Sequence, residues 1–94
     1  MRITGIIWFH EIVQKLQIKH KVHKQEVRET LESRPSFQFI EKGHRTGEDV
    51  YAAFGRTSAG RYLVVFFVHK LDGQALVVSA RDMTKTERRR YAKK

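Results

Sequence analysis

The sequence predicts an α+β fold in one domain that spans residues 1–94. Apolar residues recur at helical spacing in the first third of the chain and at alternate positions afterwards. Turn-forming residues separate the later apolar runs, which is typical of an antiparallel β-meander. Helices that are segregated from such a sheet pack on it as a separate layer. We therefore expect two N-terminal helices packed on the meander and a short C-terminal helix.

The first third of the chain predicts one strand and two helices. Residues 2–8 are rich in β-branched and aromatic side chains and predict the strand. A first helix follows from helically spaced positions, which are Phe9, Val13, Leu16 and His20. After a break near Lys21, a second helix is expected from about Lys24. It ends before Pro35, because the residue that precedes a proline is disfavoured in the helical region.

The remaining chain predicts a meander and a last helix. Asp72-Gly73 between two apolar runs is a strong hairpin signal, since both central positions of a tight turn need a positive φ. Thr84 and Glu87 have the spacing of a capping box, which predicts a helix start. The four expected strands cover residues 36–42, 49–56, 61–70 and 74–81.

The Asp72-Gly73 turn, together with an expected four-residue turn at residues 57–60, also predicts which side chains share a face of the sheet. If Leu71 faces Gln74, one face holds only apolar residues and should pack on the N-terminal helices. Its expected members are Phe54, Leu63, Val65, Phe67, Leu76 and Val78. The opposite face should form a groove suited to a polyanion. Its expected members are Tyr51, Ala53, Gly55, Tyr62, Val64, Phe66, Ser79 and Arg81.

The amino-acid composition narrows the range of binding partners that we expect. Nineteen Lys and Arg stand against ten Asp and Glu, which gives a net charge of +9. Such a surplus favours polyanions, so we expect either nucleic acid or an acidic protein as a partner, unless the charge only keeps the domain soluble. The chain has no cysteine, which fits a reducing compartment. No apolar run is long enough to span a membrane, so we expect a cytoplasmic protein without a membrane partner.

Several short segments resemble the BrnT family of ribonuclease toxins. The most specific part is Val78-Ser79-Ala80-Arg81 followed by Thr84-Lys85-Thr86-Glu87-Arg88-Arg89-Arg90-Tyr91. Weaker similarities are Lys19-His20-Lys21-Val22, Gly47-Glu48-Asp49 and Gly55-Arg56. The family often has an arginine where this chain has Val50 and Leu76, and His44 and Arg45 lie near enough in sequence to supply the charge.

The resemblance implies a fold, an activity and partners. It implies a RelE-like fold and an endoribonuclease that cuts RNA without a metal, leaves a 2′,3′-cyclic phosphate and thereby inhibits translation. It also implies a BrnA-like antitoxin that neutralises the toxin, with operator DNA bound only through that antitoxin. We expect no cofactor, and the histidines show no trustworthy metal-ligand spacing.

RNA cleavage of this kind needs a base, an acid and cations that stabilise the phosphate. Arginine suits the phosphate because its planar fork matches two oxygens. Arg81 is the first candidate for a phosphate clamp, and the structural alternative is an ion pair with Asp82 or Glu87. Glu48 is a candidate base or a charge partner for an arginine. The further catalytic candidates are His44, Arg45 and Arg56.

A second group of residues is expected to bind RNA. Tyr62 is a candidate for stacking bases, although a half-buried strand tyrosine is the commoner case. His20 ends the first helix, where it also interacts favourably with the helix dipole. The remaining binding candidates are Lys19, Arg61, Arg88 and Arg89. Two other functions stay open at this point, a non-catalytic RNA- or DNA-binding module and a co-repressor subunit.

Overall fold

A five-stranded sheet forms the centre of the fold in the computed structural model, which describes residues 1–93. The strands are β1 (Gly5–Ile7), β2 (Ser36–Glu41), β3 (Val50–Arg56), β4 (Tyr62–His69) and β5 (Gln74–Asp82). Their spatial order is β1-β5-β4-β3-β2. Strands β2 to β5 form an antiparallel meander, and β1 pairs in parallel with β5. The predicted α+β class and the predicted meander are confirmed.

Two helical segments connect β1 to β2. Helix α1 (His10–Lys15) continues into one π-helical turn (Leu16–His20), and α2 covers Lys24–Glu32. Lys21 separates them with a φ of 52°, so the predicted break is confirmed. The Glu26 carboxylate accepts from the N–H of His23 at 3.1 Å and so satisfies an unpaired donor at the start of α2. No helix in residues 1–93 has the length and hydropathy needed to cross a membrane.

The main core lies between these helices and one face of the sheet. Leu16, Val22, Val27 and Leu31 pack on Ala53, Leu63, Val65, Phe67, Ala75, Val77 and Ala80. The Phe67 ring is fully buried and contacts the rings of Phe37 and Tyr51. This face of the sheet therefore carries most of the buried apolar surface.

The opposite face, called the outer face below, is partly covered by a third helix. Helix α3 (Lys85–Ala92) begins at Thr84, whose Oγ1 accepts from the Glu87 N–H at 3.2 Å. The Glu87 carboxylate accepts from the Thr84 N–H at 2.8 Å, which confirms the predicted capping box. Tyr91 of α3 packs on a small second cluster that contains Ala52, Val64 and Met83. Helix α3 thus shields one end of the outer face.

The β4–β5 register differs from the prediction near the turn and agrees with it further away. Residues 71–73 form a three-residue turn, which is closed by the Lys70 N–H donating to the Gln74 carbonyl at 2.8 Å, and Gly73 has a φ of 90°. The third turn residue shifts the pairing by one, so Phe67 faces Val77 and not Val78. A bulge then leaves Val78 unpaired and restores the predicted pair of Val64 with Arg81. Leu76 and Val78 were therefore wrongly assigned to the core face.

The predicted β3–β4 register is also wrong. The expected four-residue turn is a five-residue turn, which Thr57 and Arg61 close with an N–H···O bond of 2.9 Å. Because one extra residue moves every side chain of a strand to the other face, the predicted sides of β3 are reversed. Phe54 lies on the outer face, and Tyr51, Ala53 and Gly55 lie on the helix-packed face.

Candidate functional site

An open groove runs across the outer face between β2 and α3. Its volume is about 380 Å³. The apolar floor comes from Ala52, Phe54 and Phe66, and Arg81 lies at its edge. The further lining residues are Ser36, Phe37, Gln38 and Ile40 on one side and Glu87, Arg90 and Tyr91 on the other. An apolar groove with a few charged side chains at its rim is the usual form of a ligand-binding site.

Arg81 enters this groove from β5 and is held by α3. Its Nη1 donates to Glu87 Oε1 at 2.7 Å, and its Nη2 donates to Glu87 Oε2 at 3.0 Å. Nη1 also donates to the Asp82 carbonyl at 3.1 Å, and the guanidinium lies 5.4 Å from the centre of the Phe66 ring. The predicted structural alternative, an ion pair with Glu87, is therefore present.

The ion pair leaves a second fork of Arg81 free. A guanidinium carries five N–H donors, and the Nε–H and one Nη2–H point from the same edge. Neither of these two donors has an acceptor among residues 1–93. The side chain is 36% exposed. Two parallel N–H groups of this kind have the geometry that matches two oxygens of a phosphate.

Glu87 is the partner of Arg81 that the sequence analysis offered only as a structural alternative. Its hydrogen bonds with Arg81, helped by the Thr84 N–H, lower its pKa to about 2, although partial burial opposes the change. The carboxylate is therefore ionised at neutral pH and unsuited to accept a proton. The sequence indicated Glu87 both as a helix-start residue and as a possible partner of Arg81, but it carried no signal that both carboxylate oxygens bind the guanidinium.

A second basic cluster lies at the same end of the outer face. The Arg56 guanidinium lies 4.7 Å and that of Arg88 4.3 Å from the centre of the Tyr62 ring. Tyr91 contacts the same ring edge to face at 5.9 Å. Arg89 lies beside this cluster on the exposed side of α3. The predicted stacking of a base on Tyr62 would have to displace a guanidinium.

Three of the predicted catalytic residues lie at the other end of the sheet. Glu48 is buried in the loop before β3, where Lys70 Nζ at 2.9 Å and the N–H of Leu71 at 3.2 Å bind its carboxylate. Its pKa is lowered, first by the Lys70 hydrogen bond and then by the Leu71 N–H. His44 and Arg45 are exposed in the same loop. The length of β3 separates them from Arg81 by about 20 Å.

Arg61, a predicted RNA-binding residue, forms hydrogen bonds within the protein through all three nitrogens of its guanidinium. Its guanidinium binds the carboxylates of Glu26 and Asp82, with a shortest contact of 2.7 Å to Asp82. It also donates to the carbonyls of His20 at 3.0 Å and Lys21 at 2.8 Å. Arg61 therefore ties the end of the π-helical turn to the sheet. All five of its N–H donors therefore have acceptors within the protein, and an RNA contact would have to replace one of them.

The remaining predicted binding residues, Lys19 and His20, lie in the helical layer. Both belong to the π-helical turn, which packs on the helix-packed face of the sheet. They are near the same end of the sheet as Arg81 but on the opposite side. Among residues 1–93, no group of three or more His, Cys, Asp or Glu side chains is placed to hold a metal ion.

The fold and the groove together define a class of protein, a small basic α+β domain with arginines along an open groove. Comparison with known families is more specific. Residues 8–87 match the family described as the ribonuclease toxin BrnT of type II toxin–antitoxin systems. The chain therefore belongs to the BrnT family of ribonuclease toxins. Membership of a type II system implies an RNA substrate and an antitoxin partner.

The fold is similar to that of a solved relative. The 1.1 Å crystal structure of the Brucella abortus ribonuclease toxin BrnT superposes with a TM-score of 0.62 and 19% sequence identity. The match covers 86% of this chain and 97% of the Brucella chain. At this identity the comparison concerns the fold alone. Among curated protein sequences, no significant match is found.

Proposed function

We propose that this chain is a metal-independent endoribonuclease toxin that cuts RNA in the outer-face groove. The observation that carries the proposal is the free fork of Arg81 at the edge of that groove. The net charge of +9 supports it, because such a domain attracts the RNA backbone. Cleavage of cellular RNA would inhibit translation in the cytoplasm, and a BrnA-like antitoxin would neutralise the toxin and alone contact operator DNA. We infer that the fold is RelE-like.

The chemistry assigned to the groove is an internal transfer of the phosphate. The ribose 2′-oxygen loses its proton and attacks the neighbouring phosphorus, and the bond to the 5′-oxygen breaks as that oxygen takes up a proton. The products are a 2′,3′-cyclic phosphate and a free 5′-hydroxyl. Negative charge builds up on the phosphate oxygens during the attack, and the Arg81 fork would stabilise it.

Glu87 acts through Arg81 in this proposal. Its low pKa excludes it as an effective base at neutral pH, and both of its oxygens bind the guanidinium. It therefore fixes the direction of the free fork before RNA arrives, which is the preorganisation that electrostatic catalysis requires. We leave Glu48, His44 and Arg45 outside this active site because they lie at the other end of β3.

The decisive experiment compares Arg81→Ala and Arg81→Lys with the unaltered protein. Loss of a phosphate-stabilising donor typically lowers kcat by about 10²–10³. Lysine should recover little, since it keeps the charge but loses the fork. Arg28→Ala is the matched control, because Arg28 is exposed on α2, behind the opposite face. An Arg81→Ala protein that is folded at the assay temperature and cuts RNA at the original rate would refute the proposal.

Two further measurements separate the proposal from its alternatives. Cleavage should persist in EDTA and yield termini that carry a 2′,3′-cyclic phosphate. Tight RNA binding without any cleavage would instead identify a non-catalytic module. Co-expression with the product of a neighbouring antitoxin gene should restore growth. A partner that binds only the folded toxin should also stabilise it.

A further inference from the structure

We infer that Arg56 and Arg88, stacked on Tyr62, form a second phosphodiester subsite that binds the RNA backbone beside the phosphate held by Arg81. The inference deepens the proposed function, since it assumes that RNA occupies the outer face. It assigns Arg56 to binding and not to catalysis. It also gives Tyr62 the role of a platform for two arginines in place of the base-stacking role expected from the sequence.

The first argument is electrostatic. Both guanidinium groups lie within 5 Å of the centre of one ring, at 4.7 Å and 4.3 Å. Their charges are therefore held within about one Debye length of each other at physiological salt. Within residues 1–93, neither Arg56 nor Arg88 forms a salt bridge with a carboxylate. Two neighbouring cations without a counter-charge repel each other, and an anion between them removes the repulsion.

The second argument concerns rigidity. The Tyr62 ring belongs to the second apolar cluster, and the Tyr91 ring contacts it at 5.9 Å with an angle of 82° between the planes. Stacking on a fixed aromatic ring restricts an arginine side chain and adds a cation–π attraction. Little conformational entropy therefore remains to be lost when these two arginines bind a phosphate.

The third argument is the position of the cluster relative to Arg81. Arg81 pairs with Val64, and Tyr62 lies two residues earlier on β4 and on the same face. Such diagonal neighbours in an antiparallel sheet are about 7–8 Å apart. This distance is comparable with the step between successive phosphates of one strand. Consecutive residues of α3 serve the two subsites, since Glu87 holds Arg81 and Arg88 lies on Tyr62.

The test uses a short single-stranded 2′-O-methyl RNA, which lacks the nucleophile and so reports binding alone. Its affinity is measured over a series of salt concentrations for the full chain and its variants. Each phosphate neutralised on a single strand contributes about 0.7 to the slope of log K against log salt. If the subsite holds its phosphate only when both guanidinium groups are present, Arg56→Ala and Arg88→Ala should each lower the slope by about 0.7, and the double variant should lower it by about the same amount.

Variants of Tyr62 provide an independent test of the subsite. Tyr62→Phe keeps the ring and should bind as the unaltered protein does, whereas Tyr62→Leu removes the platform and should lower the slope. If Tyr62→Leu fails to fold, Tyr62→Phe and the arginine variants still decide the question. In cleavage assays the arginine variants should raise KM and leave kcat nearly unchanged. Arg28→Ala is again the matched control, because it removes one exposed positive charge outside the proposed subsite.

Specific outcomes overturn the inference. Slopes for Arg56→Ala and Arg88→Ala equal to that of Arg28→Ala would show that the cluster does not contact phosphate. A loss of about 1.4 in the double variant would show two separate contacts and no shared subsite. If the slopes behave as expected and no RNA is ever cleaved, the subsite stands and the proposed catalytic function fails.

Discussion

Replacing Glu87 with glutamine removes the charge that holds Arg81 but keeps the size of the side chain. Glutamine can still accept from the Thr84 N–H, so the start of α3 is retained. The substitution therefore isolates the ion pair between β5 and α3. The free energy of unfolding and the kcat for RNA cleavage should both fall.

The pKa of Glu87 gives the scale of the effect. Each pKa unit corresponds to about 1.4 kcal/mol. The drop from 4.5 to about 2 therefore sets an upper bound of about 3 kcal/mol for the contribution of the pair to the free energy of unfolding. Arg81 is 36% exposed, so water screens the pair. We expect Glu87→Gln to cost about 1–2 kcal/mol at neutral pH.

The dependence on pH has a defined direction. The folded-state pKa is lowered, so the contribution of Glu87 is complete above its unfolded-state pKa of 4.5 and is lost as pH falls towards about 2. The stability difference between the two proteins should therefore shrink across this range. Urea unfolding followed by Trp8 fluorescence measures it, with Glu41→Gln at an exposed site as the control. The ion pair would be refuted if Glu87→Gln lowered the free energy of unfolding at neutral pH by no more than Glu41→Gln does. It would also be refuted if the loss stayed constant down to pH 2.

The same substitution should affect catalysis. In RNA cleavage, the kcat of Glu87→Gln should fall while its KM changes little.

Three further predictions concern stability. Arg61→Ala should cost about 2 kcal/mol by leaving charged and carbonyl acceptors unpaired, and calorimetry should show a melting temperature about 10 °C lower. Gly55→Ala should cost about 1–3 kcal/mol in urea unfolding, because the added Cβ would lie 2.9 Å from the Thr30 carbonyl; an unchanged midpoint would show that α2 can move away. Val77→Ala should cost about 2 kcal/mol and Val78→Ala under about 1, since Val77 is buried and Val78 is 39% exposed; equal losses would argue against the bulge.

Local patterns in the sequence predicted the elements well. The capping box at Thr84 and the break near Lys21 depend on a few neighbouring residues, and both are confirmed. The registers of the β3–β4 and β4–β5 pairs were harder to predict, because each depends on the length of the turn between the two strands. The three-residue turn before Gln74 and the bulge at Val78 have opposite effects on the pairing. Only the pairs between them were therefore predicted wrongly on that hairpin.

The site depended on contacts between distant segments, which local patterns do not encode. Arg81 was placed on the correct face because the hairpin register recovers after the bulge. The contact of Glu87 with Arg81 was expected only as an alternative to phosphate binding, because it depends on how α3 packs on the sheet. The stacking of Arg56 on Tyr62 was not expected, because it depends on the length of the β3–β4 turn. Glu48 became a candidate through its sequence neighbours His44 and Arg45, and the length of β3 separates this loop from Arg81.

The parallel pairing of β1 with β5 affects the order in which the molecule can be completed on the ribosome. β1 emerges first, but the strand it pairs with is the last strand of the domain to be made. Non-local pairs of this kind form late in folding, since their closure costs entropy before any contact is gained. Arg81, Glu87 and Arg88 also belong to these late segments. A nascent chain would therefore expose no finished groove, and we expect a ribosome that is translating this protein to be protected from it until synthesis of the domain is nearly complete.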